Sequence, residues 1–337
     1  MNWIKIFNDT FRDLLSVNSC YYALAAIGLN VQFGYTGLLN FGQAGFMACG
    51  AYGMAMTTWY YKISVWWGLG IGLVYTAFLA ILVSIPILRR LRPDYLAIVT
   101  IAMAEMIRLI VRSVQFKKAF GASDGINEFT DAFYRLNPLK NGQFYGFGPW
   151  RYLGRDLWIL LWGWSLVAVV AVGVYLLMRS PWGRVVKAIR EDEDAVRSLG
   201  KNVYNYQLQA LVIGGFIGMS SGVVFGIARG SVQPDNYSRD VTFYILTALV
   251  LGGVAKVTGS IVGPIIFWML LGFTGSFLNE AVNKQGQLKI AGFKIIKSTS
   301  QIGQVQFMMI GAGLMLLMIF RPQGVFGNRK EMALDGR

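Results

Sequence analysis

Long uncharged, apolar runs alternate along the chain with short charged connections. A helix that crosses a membrane needs about 20 apolar residues, because each residue rises about 1.5 Å through an apolar core about 30 Å thick. The runs that predict membrane segments are 14–61 (long enough for two passages), 66–88, 95–111, 157–178, 204–228, 241–255, 257–279 and 304–320. We therefore predict an all-α, polytopic transmembrane helix bundle with about eight to nine membrane segments, some of them broken or re-entrant.

The domain organisation predicted from these runs is one membrane domain with charged ends. Residues 1–13 mix both signs of charge with apolar residues, which predicts an interfacial amphipathic segment rather than a cleaved signal peptide. Residues 14–320 form the predicted transmembrane domain, and 321–337 form a C-terminal tail. Two connections in the domain are long enough to carry structure of their own, namely loop 113–156 and loop 180–205.

The distribution of Lys and Arg predicts the orientation. One set of connections holds 13 basic residues in 44 positions and the other holds 12 in 80. The denser set comprises 89–92, 179–201 and 321–337. The sparser set comprises 113–156, 229–240 and 280–303. Because basic residues are enriched on the cytoplasmic side of membrane proteins, we predict that the denser set, with loop 180–205 and the C-terminal tail, is cytoplasmic. Loop 113–156 is then external.

Composition excludes several classes of function. Of the 337 residues 55% are hydrophobic and only 14% are charged, whereas an average soluble domain is about one quarter charged. The chain has no histidine, which removes His-based triads and His-containing zinc sites. It also lacks a P-loop motif, so we predict no ATP hydrolysis by that route, no enzyme activity and no cofactor.

The net charge of +14 admits two interpretations. Basic residues beside membrane segments anchor a protein against the anionic inner leaflet, so membrane lipid is one predicted partner. Nucleic-acid binding is the alternative for a basic protein, but no face outside the bilayer combines basic and aromatic residues. We therefore predict no nucleic-acid partner.

Glycine is concentrated in the stretches 34–53 and 252–272. Glycine in membrane helices either allows close packing or interrupts the helix, and interrupted segments in both halves of a chain are typical of a translocation path in transporters. The candidate path residues are Tyr35, Gly37, Asn40, Gln43, Gly252 and Gly253. Close packing of small residues remains the alternative for each glycine.

Loop 180–205 contains the signature of a short exposed helix. The acidic residues 191–194 predict its start, and Arg197 and Gly200 fit its last turn and its end. Ala195, Val196 and Leu199 are predicted to share one small apolar face. Such a helix between two spans has the form of a docking element, whereas a solvated loop with ordinary capping is the alternative.

Two charged residues, Glu105 and Arg108, interrupt the third apolar run. Their i, i+3 spacing on a helix would allow them to pair. Charges inside a membrane segment indicate a functional site by default. The alternative is an internal ion pair near the end of the helix.

Blocks of sequence in a fixed order carry a family resemblance. They are GLNV (28–31), GYTG (34–37), GQAGF (42–46), LRPDYLAIVT (91–100), AEMIRL (104–109), GASDGI (121–126), SPWGR (180–184), AIREDE (188–193), LGG (251–253), GP (263–264) and FRPQG (320–324). With these blocks the chain resembles the LivM-type permease subunit of ABC importers for branched-chain and other hydrophobic amino acids. The resemblance covers nearly the whole chain.

The resemblance implies the ABC importer permease fold in the plasma membrane of a prokaryote, and a set of partners. These are a homologous second permease subunit forming a heterodimer, two ATPase subunits on the cytoplasmic face that hydrolyse ATP, and an external substrate-binding protein. Loop 180–205 would then be the ATPase coupling loop. The coupling residues so implied are Arg184, Arg190, Glu191, Asp192, Glu193, Asp194, Ala195, Arg197, Leu199 and Gly200.

The chain departs from the family pattern at two places. Position 43 is Gln where the family commonly has His, so any protonatable role is absent there. The coupling loop also lacks the fuller E-A-A pattern of many other importers. Urea- and amide-importing relatives share the layout and remain an alternative, and a stand-alone channel or secondary transporter is the alternative from a different class.

Overall fold

The computed structural model describes residues 3–88, 93–139, 142–146, 150–285, 288–290, 293–296, 301–320 and 324–326. Its helices are α1 (Trp3–Leu14), α2 (Val17–Leu29), α3 (Gln43–Trp59), α4 (Val65–Leu88), α5 (Pro93–Arg112), α6 (Lys117–Phe120), α7 (Asp131–Tyr134), α8 (Gly154–Arg179), α9 (Pro181–Glu191), α10 (Glu193–Ser198), α11 (Val203–Arg229), α12 (Arg239–Gly252), α13 (Val257–Gln285) and α14 (Ile302–Phe320). A π-helical turn, Asn30–Tyr35, extends α2, and 3₁₀ turns form at Val114–Phe116, Ala122–Asp124 and Pro234–Tyr237.

The strands form short antiparallel pairs in the connections between helices. They are β1 (Ile126–Asn127), β2 (Phe144–Tyr145), β3 (Tyr152–Leu153), β4 (Ser231–Val232), β5 (Leu288–Ile290) and β6 (Phe293–Ile296). β1 pairs with β4, β2 with β3, and β5 with β6. The β1–β4 pair joins loop 113–156 to the connection that follows α11.

The prediction of an all-α, polytopic membrane bundle is confirmed. Five helical segments in the described residues are long and apolar enough to cross a membrane, namely Trp3–Tyr35, Trp66–Ile85, Gly154–Arg179, Val203–Arg229 and Val257–Glu280. The other predicted segments are helical too, but α3 and α12 have 17 and 14 residues, fewer than a full span needs. The count of eight to nine segments therefore stays a prediction.

The core is built around α2. Every residue of α2 from Ser19 to Leu29 is buried, because α8, α11 and α13 pack around it. Glycines let the backbones approach: a Cβ at Gly28 would lie 2.6 Å from the carbonyl oxygen of Gly214, and one at Gly222 would overlap the carbonyl oxygen of Met47. Close packing is therefore the structural role of these glycines.

The second glycine stretch is interrupted only near its beginning. α12 ends at Gly252, and α13 then runs without a break from Val257 through Pro264. A Cβ at Gly263, inside α13, would overlap the carbonyl oxygen of Ala248 on α12. The prediction of an interrupted segment thus holds for residues 253–256, whereas the later glycines of this stretch serve helix packing.

Helix α11 has 27 residues and separates two ends of the bundle by about 40 Å. Its first residue adjoins α10, and its last residue adjoins β4, so we name them the α10 end and the β4 end. The predicted cytoplasmic loop 179–201 lies at the α10 end, and the predicted external connections 113–156 and 229–240 meet at the β4 end. Which end faces the cytoplasm stays a prediction, and the basic positions 89–92, 321–323 and 327–337 lie outside the described residues.

The N-terminal segment forms the predicted amphipathic helix, α1. Ile6 and Thr10 are buried, while Trp3 and Phe7 are half exposed. The ring of Trp3 lies 6.4 Å from that of Phe277, so α1 packs along α13. Its place at the membrane interface stays a prediction.

Candidate functional site

The first glycine stretch breaks the helix between α2 and α3. The last turn of α2 widens into the π-helical Asn30–Tyr35, and residues 36–42 are irregular before α3 begins. Thr36 Oγ1 donates a hydrogen bond to the Val31 carbonyl at 2.8 Å, and Gly37 adopts φ +77°, a conformation that favours glycine. π-turns are rare and frequently mark functional sites. The predicted interruption is therefore present here.

Polar side chains satisfy the irregular backbone inside the core. Asn40 Nδ2 donates to Gln32 Oε1 at 2.6 Å, and Gln32 Nε2 donates to the Leu211 carbonyl of α11 at 2.9 Å. Asn40 Oδ1 accepts from the backbone N–H of Gly42 at 2.8 Å. Asn40 and Gln32 are buried. Irregular backbone at membrane depth requires such internal partners, because hydrocarbon supplies none.

Two threonines from other helices hold the start of α3. The backbone N–H of Phe41 donates to Thr100 Oγ1 of α5 at 3.0 Å, and the N–H of Ala44 donates to Thr242 Oγ1 of α12 at 2.9 Å. The first turn of a helix leaves its backbone N–H groups without internal partners. Thr100 and Thr242 therefore anchor the break to both halves of the chain.

Gln43 lies at the first position of α3 and is fully buried. Its Nε2 lies 3.3 Å from the Ala25 carbonyl of α2 and 3.4 Å from the Gly214 carbonyl of α11. Its Oε1 has no hydrogen-bond partner among the described residues. Gln43 therefore joins three helices through its donor alone.

The second break contacts the first through Asn30. Asn30 Oδ1 accepts from the backbone N–H of Ala255 at 2.9 Å, and Asn30 Nδ2 donates to the Lys256 carbonyl at 3.1 Å. Gly253 turns the chain with φ +114°. The backbone N–H of Val325 donates to the Leu251 carbonyl at 2.9 Å. The turn that follows the predicted residues Gly252 and Gly253 therefore contacts the π-turn through Ala255 and Lys256, which are far from it in sequence.

The loop between α8 and α11 attaches directly to the first break. Arg190, near the end of α9, donates from Nη1 to the Gly34 carbonyl at 2.6 Å. A Cβ at Gly37 would lie 3.3 Å from Arg190 Cγ, so the arginine stem packs on that glycine. Lys187 Nζ lies 5.6 Å from the centre of the Tyr35 ring, within range of a cation–π contact. Tyr35 and Gly37 therefore contact side chains of α9.

Helix α9 was missed by the sequence analysis. Ser180 caps it by accepting from the backbone N–H of Gly183 at 3.4 Å, and Pro181 occupies its first turn. Ser followed by Pro is a helix-start signal that could have revealed it. Val186 and Ile189 are buried and fix α9 to the bundle.

The predicted short helix exists as α10, but it begins later than expected. Glu191 still belongs to α9, and Asp192 caps α10 by accepting from the backbone N–H of Ala195 at 2.9 Å. Glu193 and Asp194 both pair with Arg197, at 2.5 and 2.9 Å. The predicted start at residue 191 is wrong, because Glu191 completes the preceding helix. These pairs are local and their side chains are 39–90% exposed, so they contribute little stability.

The predicted apolar face of α10 is also wrong. Val196 points inward and is buried with Ile189 and Val203. Ala195 is exposed and Leu199 is 79% exposed, so they do not share its face. The candidate residues that remain exposed on the loop are Arg184, Glu191, Asp192, Asp194, Ala195, Leu199 and Gly200.

Glu105 and Arg108 form the predicted pair at the β4 end. Arg108 donates to Glu105 through Nε at 3.0 Å and through Nη2 at 2.5 Å. Asp235, which the sequence analysis missed, accepts from Arg108 Nη1 at 2.6 Å and from Arg112 Nη1 at 3.2 Å. The geometry is that of an ion-pair cluster at the end of α5. No i, i+3 or i, i+4 pattern could have indicated Asp235, which is distant in sequence.

The candidate residues therefore fall into two places. Those of the two breaks and of α9 and α10 form one connected assembly that extends from the core to the α10 end, and the Glu105–Arg108 cluster lies at the β4 end. In the described ranges no cluster of three or more Cys, Asp or Glu side chains is arranged to hold a metal ion. The assembly suits a mechanical task, because loop, helix break and core are joined by hydrogen bonds.

Comparison with known proteins gives the family. A family model described as "Branched-chain amino acid transport system / permease component" matches residues 13–291. The chain belongs to this family. Its members are permease components of transport systems rather than enzymes, and the apolar helices make the chain a multi-pass membrane protein.

Individual relatives agree with this membership. The high-affinity branched-chain amino acid transport system permease protein LivM of Escherichia coli K12 is 30% identical over 316 residues, covering 90% of this chain and 67% of the relative. The probable branched-chain amino acid transport permease protein LivM of Methanocaldococcus jannaschii is 25% identical over 73% of this chain and 76% of the relative. The ribose import permease protein RbsC of Haemophilus influenzae is 28% identical over 36% of each chain.

Proposed function

We propose that the chain is the permease subunit of an ABC importer and forms part of the translocation path for branched-chain or other hydrophobic amino acids. Its partners are a homologous second permease subunit, two ATPase subunits on the cytoplasmic face and an external substrate-binding protein, in the plasma membrane of a prokaryote. ATP is hydrolysed on the ATPase subunits and not on this chain. The family membership and the names of the LivM relatives support this proposal.

Loop 180–205 is the proposed coupling loop, and the bond from Arg190 to Gly34 is the observation that supports it best. The exposed charged positions of α9 and α10 are available to an ATPase subunit. Arg190 would transmit a movement of α9 to the π-turn. The π-turn belongs to the first break and contacts the second break through Asn30. ATP-driven closure of the ATPase subunits would therefore move the helix ends that flank the path.

The proposed path residues are buried in this conformation. Asn40 and Gln43 are 1% and 0% exposed, and their amides bond to neighbouring helices. A path along these residues therefore requires the break to move. Tyr35 and Gly37, which lie under α9, are placed to begin that movement.

Isolation of the complex followed by transport tests this proposal. The tagged chain is purified from native membranes in mild detergent, its co-purifying subunits are identified, and the complex is reconstituted in vesicles with its binding protein. We expect a second permease and ATPase subunits, and leucine uptake that requires ATP on the ATPase side. Uptake of urea instead of leucine would support the amide-importing alternative. Passive leucine flux through the purified chain alone would support a channel or secondary transporter.

A further inference from the structure

A cavity of about 400 Å³ lies outside the assembly described above. It is open to the surface and is lined by the end of α1, the start of α2, α12, the middle of α13 and α14. The mixed lining of aromatic and polar side chains is typical of a small-molecule site, for which volumes of about 300–1,000 Å³ are usual. Neither the coupling loop nor the helix breaks contribute to it.

Aromatic rings form the walls of this cavity. The Tyr22 ring meets that of Trp268 edge to face at 5.2 Å and lies 6.3 Å from that of Phe267. Tyr244 stacks on Phe307 with ring centres 5.2 Å apart and planes 4° apart. Four different helices supply these rings, so their arrangement is a product of the fold. Faces of Trp and Tyr attract organic cations.

Asp13 is the one charged side chain among the described residues that line the cavity. Its carboxylate has no hydrogen-bond or ion-pair partner among the described residues, although it is partly buried. It lies against Gly272, where a Cβ would overlap Asp13 Oδ2, so the absence of a side chain at that position admits the carboxylate. A partly desolvated carboxylate without a partner favours a cationic ligand.

Two polar side chains without hydrogen-bond partners among the described residues line the same cavity. Tyr22 is 5% exposed, and within the described part of the chain its hydroxyl has no hydrogen-bond partner although the residue lines the cavity. Asn18 likewise lines the cavity and makes no side-chain hydrogen bond there. A hydroxyl oxygen and an amide oxygen can each accept from an ammonium N–H, which has three donors to place.

We propose that this cavity binds a primary ammonium group that carries a short alkyl chain. The ammonium group faces Asp13 and the aromatic rings, and the alkyl chain packs against the stacked pair of Tyr244 and Phe307. A metal ion is a poorer match, because hard cations require several oxygen ligands at close range. The proposal does not depend on the proposed transport function.

The test uses 3-methylbutylammonium as the probe and 3-methylbutan-1-ol as its neutral counterpart. The full chain, purified in detergent with the subunits that accompany it, is titrated with each by calorimetry. We expect saturable binding of the ammonium probe and at least tenfold weaker binding of the alcohol. Equal affinity for both, or no saturable binding of the ammonium probe, would overturn the proposal even without any variant.

Variants locate the binding. Asp13→Asn should lower the affinity for the ammonium probe at least tenfold, and Trp268→Leu should lower this affinity severalfold. Asp9→Asn is the matched control, because Asp9 lies one turn away on α1 and does not line this cavity. We expect the control to bind as the unmodified chain does. An Asp13→Asn protein that elutes as a single species and binds with unchanged affinity would contradict the proposal.

A primary ammonium group occurs both in aminophospholipids and in free amino acids, so the source of the ligand needs its own test. Titration of the chain in nanodiscs of phosphatidylcholine, with and without phosphatidylethanolamine, identifies a lipid source if the ethanolamine lipid abolishes probe binding. Competition by leucine in phosphatidylcholine nanodiscs identifies a free amino acid instead. Failure of both competitors would contradict a site for either natural ammonium source.

Discussion

Replacing Arg190 by Met is the sharpest test of how loop 180–205 connects to the helix break. Methionine keeps an apolar stem to pack on Gly37 but cannot donate to the Gly34 carbonyl, which Arg190 Nη1 reaches at 2.6 Å. A hydrogen bond from a charged donor contributes about 1.5–3 kcal/mol net. Because Arg190 is half-buried, we take the lower value. About 1.4 kcal/mol corresponds to a factor of ten in an equilibrium constant. Without this bond, the state in which α9 is attached to the π-turn should therefore lose roughly tenfold in population relative to the state in which it is detached.

The assay compares leucine uptake with ATP hydrolysis in the same vesicles. If the bond transmits movement from the ATPase subunits, Arg190→Met should lower the number of leucine molecules moved per ATP several-fold while ATP hydrolysis continues. Binding of the ATPase subunits should be unchanged, because Arg190 directs its guanidinium inward to the π-turn. Co-purification of the ATPase subunits at the normal ratio checks this point.

Arg184→Met is the matched control. Arg184 lies on the same helix and is exposed, and its side chain donates no hydrogen bond to any described residue. Because Arg184 is one of the proposed coupling residues on the exposed side of α9, Arg184→Met should change leucine uptake and ATP hydrolysis by the same factor and leave their ratio unchanged. An unchanged ratio in Arg190→Met would refute the proposed link, and an equal fall in both variants would show that positive charge on α9, rather than the bond, matters.

Three further outcomes are expected. A cysteine at Ser198 should react with an impermeant thiol reagent only in inside-out vesicles, and labelling from outside would reverse the topology. Asp235→Asn should lower the free energy of unfolding by no more than about 1 kcal/mol, because its side chain is 62% exposed; a larger loss in thermal unfolding would assign Arg108 a buried role. Gly222→Ala should cost about 1–3 kcal/mol by overpacking α3 against α11, whereas Gly173→Ala, with open space around it, should cost nothing.

Local patterns predicted the elements of this fold well. Uncharged runs located the long helices, since the cost of burying charge in hydrocarbon applies to every position of a span. The first break was found because glycine and amides together disfavour a continuous apolar helix. The start of α10 was misplaced by two residues, because Glu191 can end one helix as readily as begin another, and only the capping bond of Asp192 decides between them.

Contacts distant in sequence could not be predicted from one chain. Asn30 bonds to residues 225 and 226 positions away, and Arg190 reaches Gly34 across 156 positions. Nothing local marks such partners, because a backbone carbonyl carries no sequence signature. Asp235 was missed for the same reason. The connected character of the assembly, which supports the proposed coupling, is therefore knowledge that required the fold.

Gln43 shows how the structure changes the meaning of a sequence departure. In the family pattern that the sequence resembles this position is His, so Gln at position 43 predicts that a protonatable role is absent. In the structure the position supplies one N–H donor between the carbonyls of Ala25 and Gly214, and the side chain is fully buried. Glutamine and neutral histidine can both supply that donor. Charging a histidine there would leave a buried cation without a counter-charge among the described neighbours, which is costly. The observed hydrogen bonding therefore requires a donor at position 43 and does not require a proton that moves.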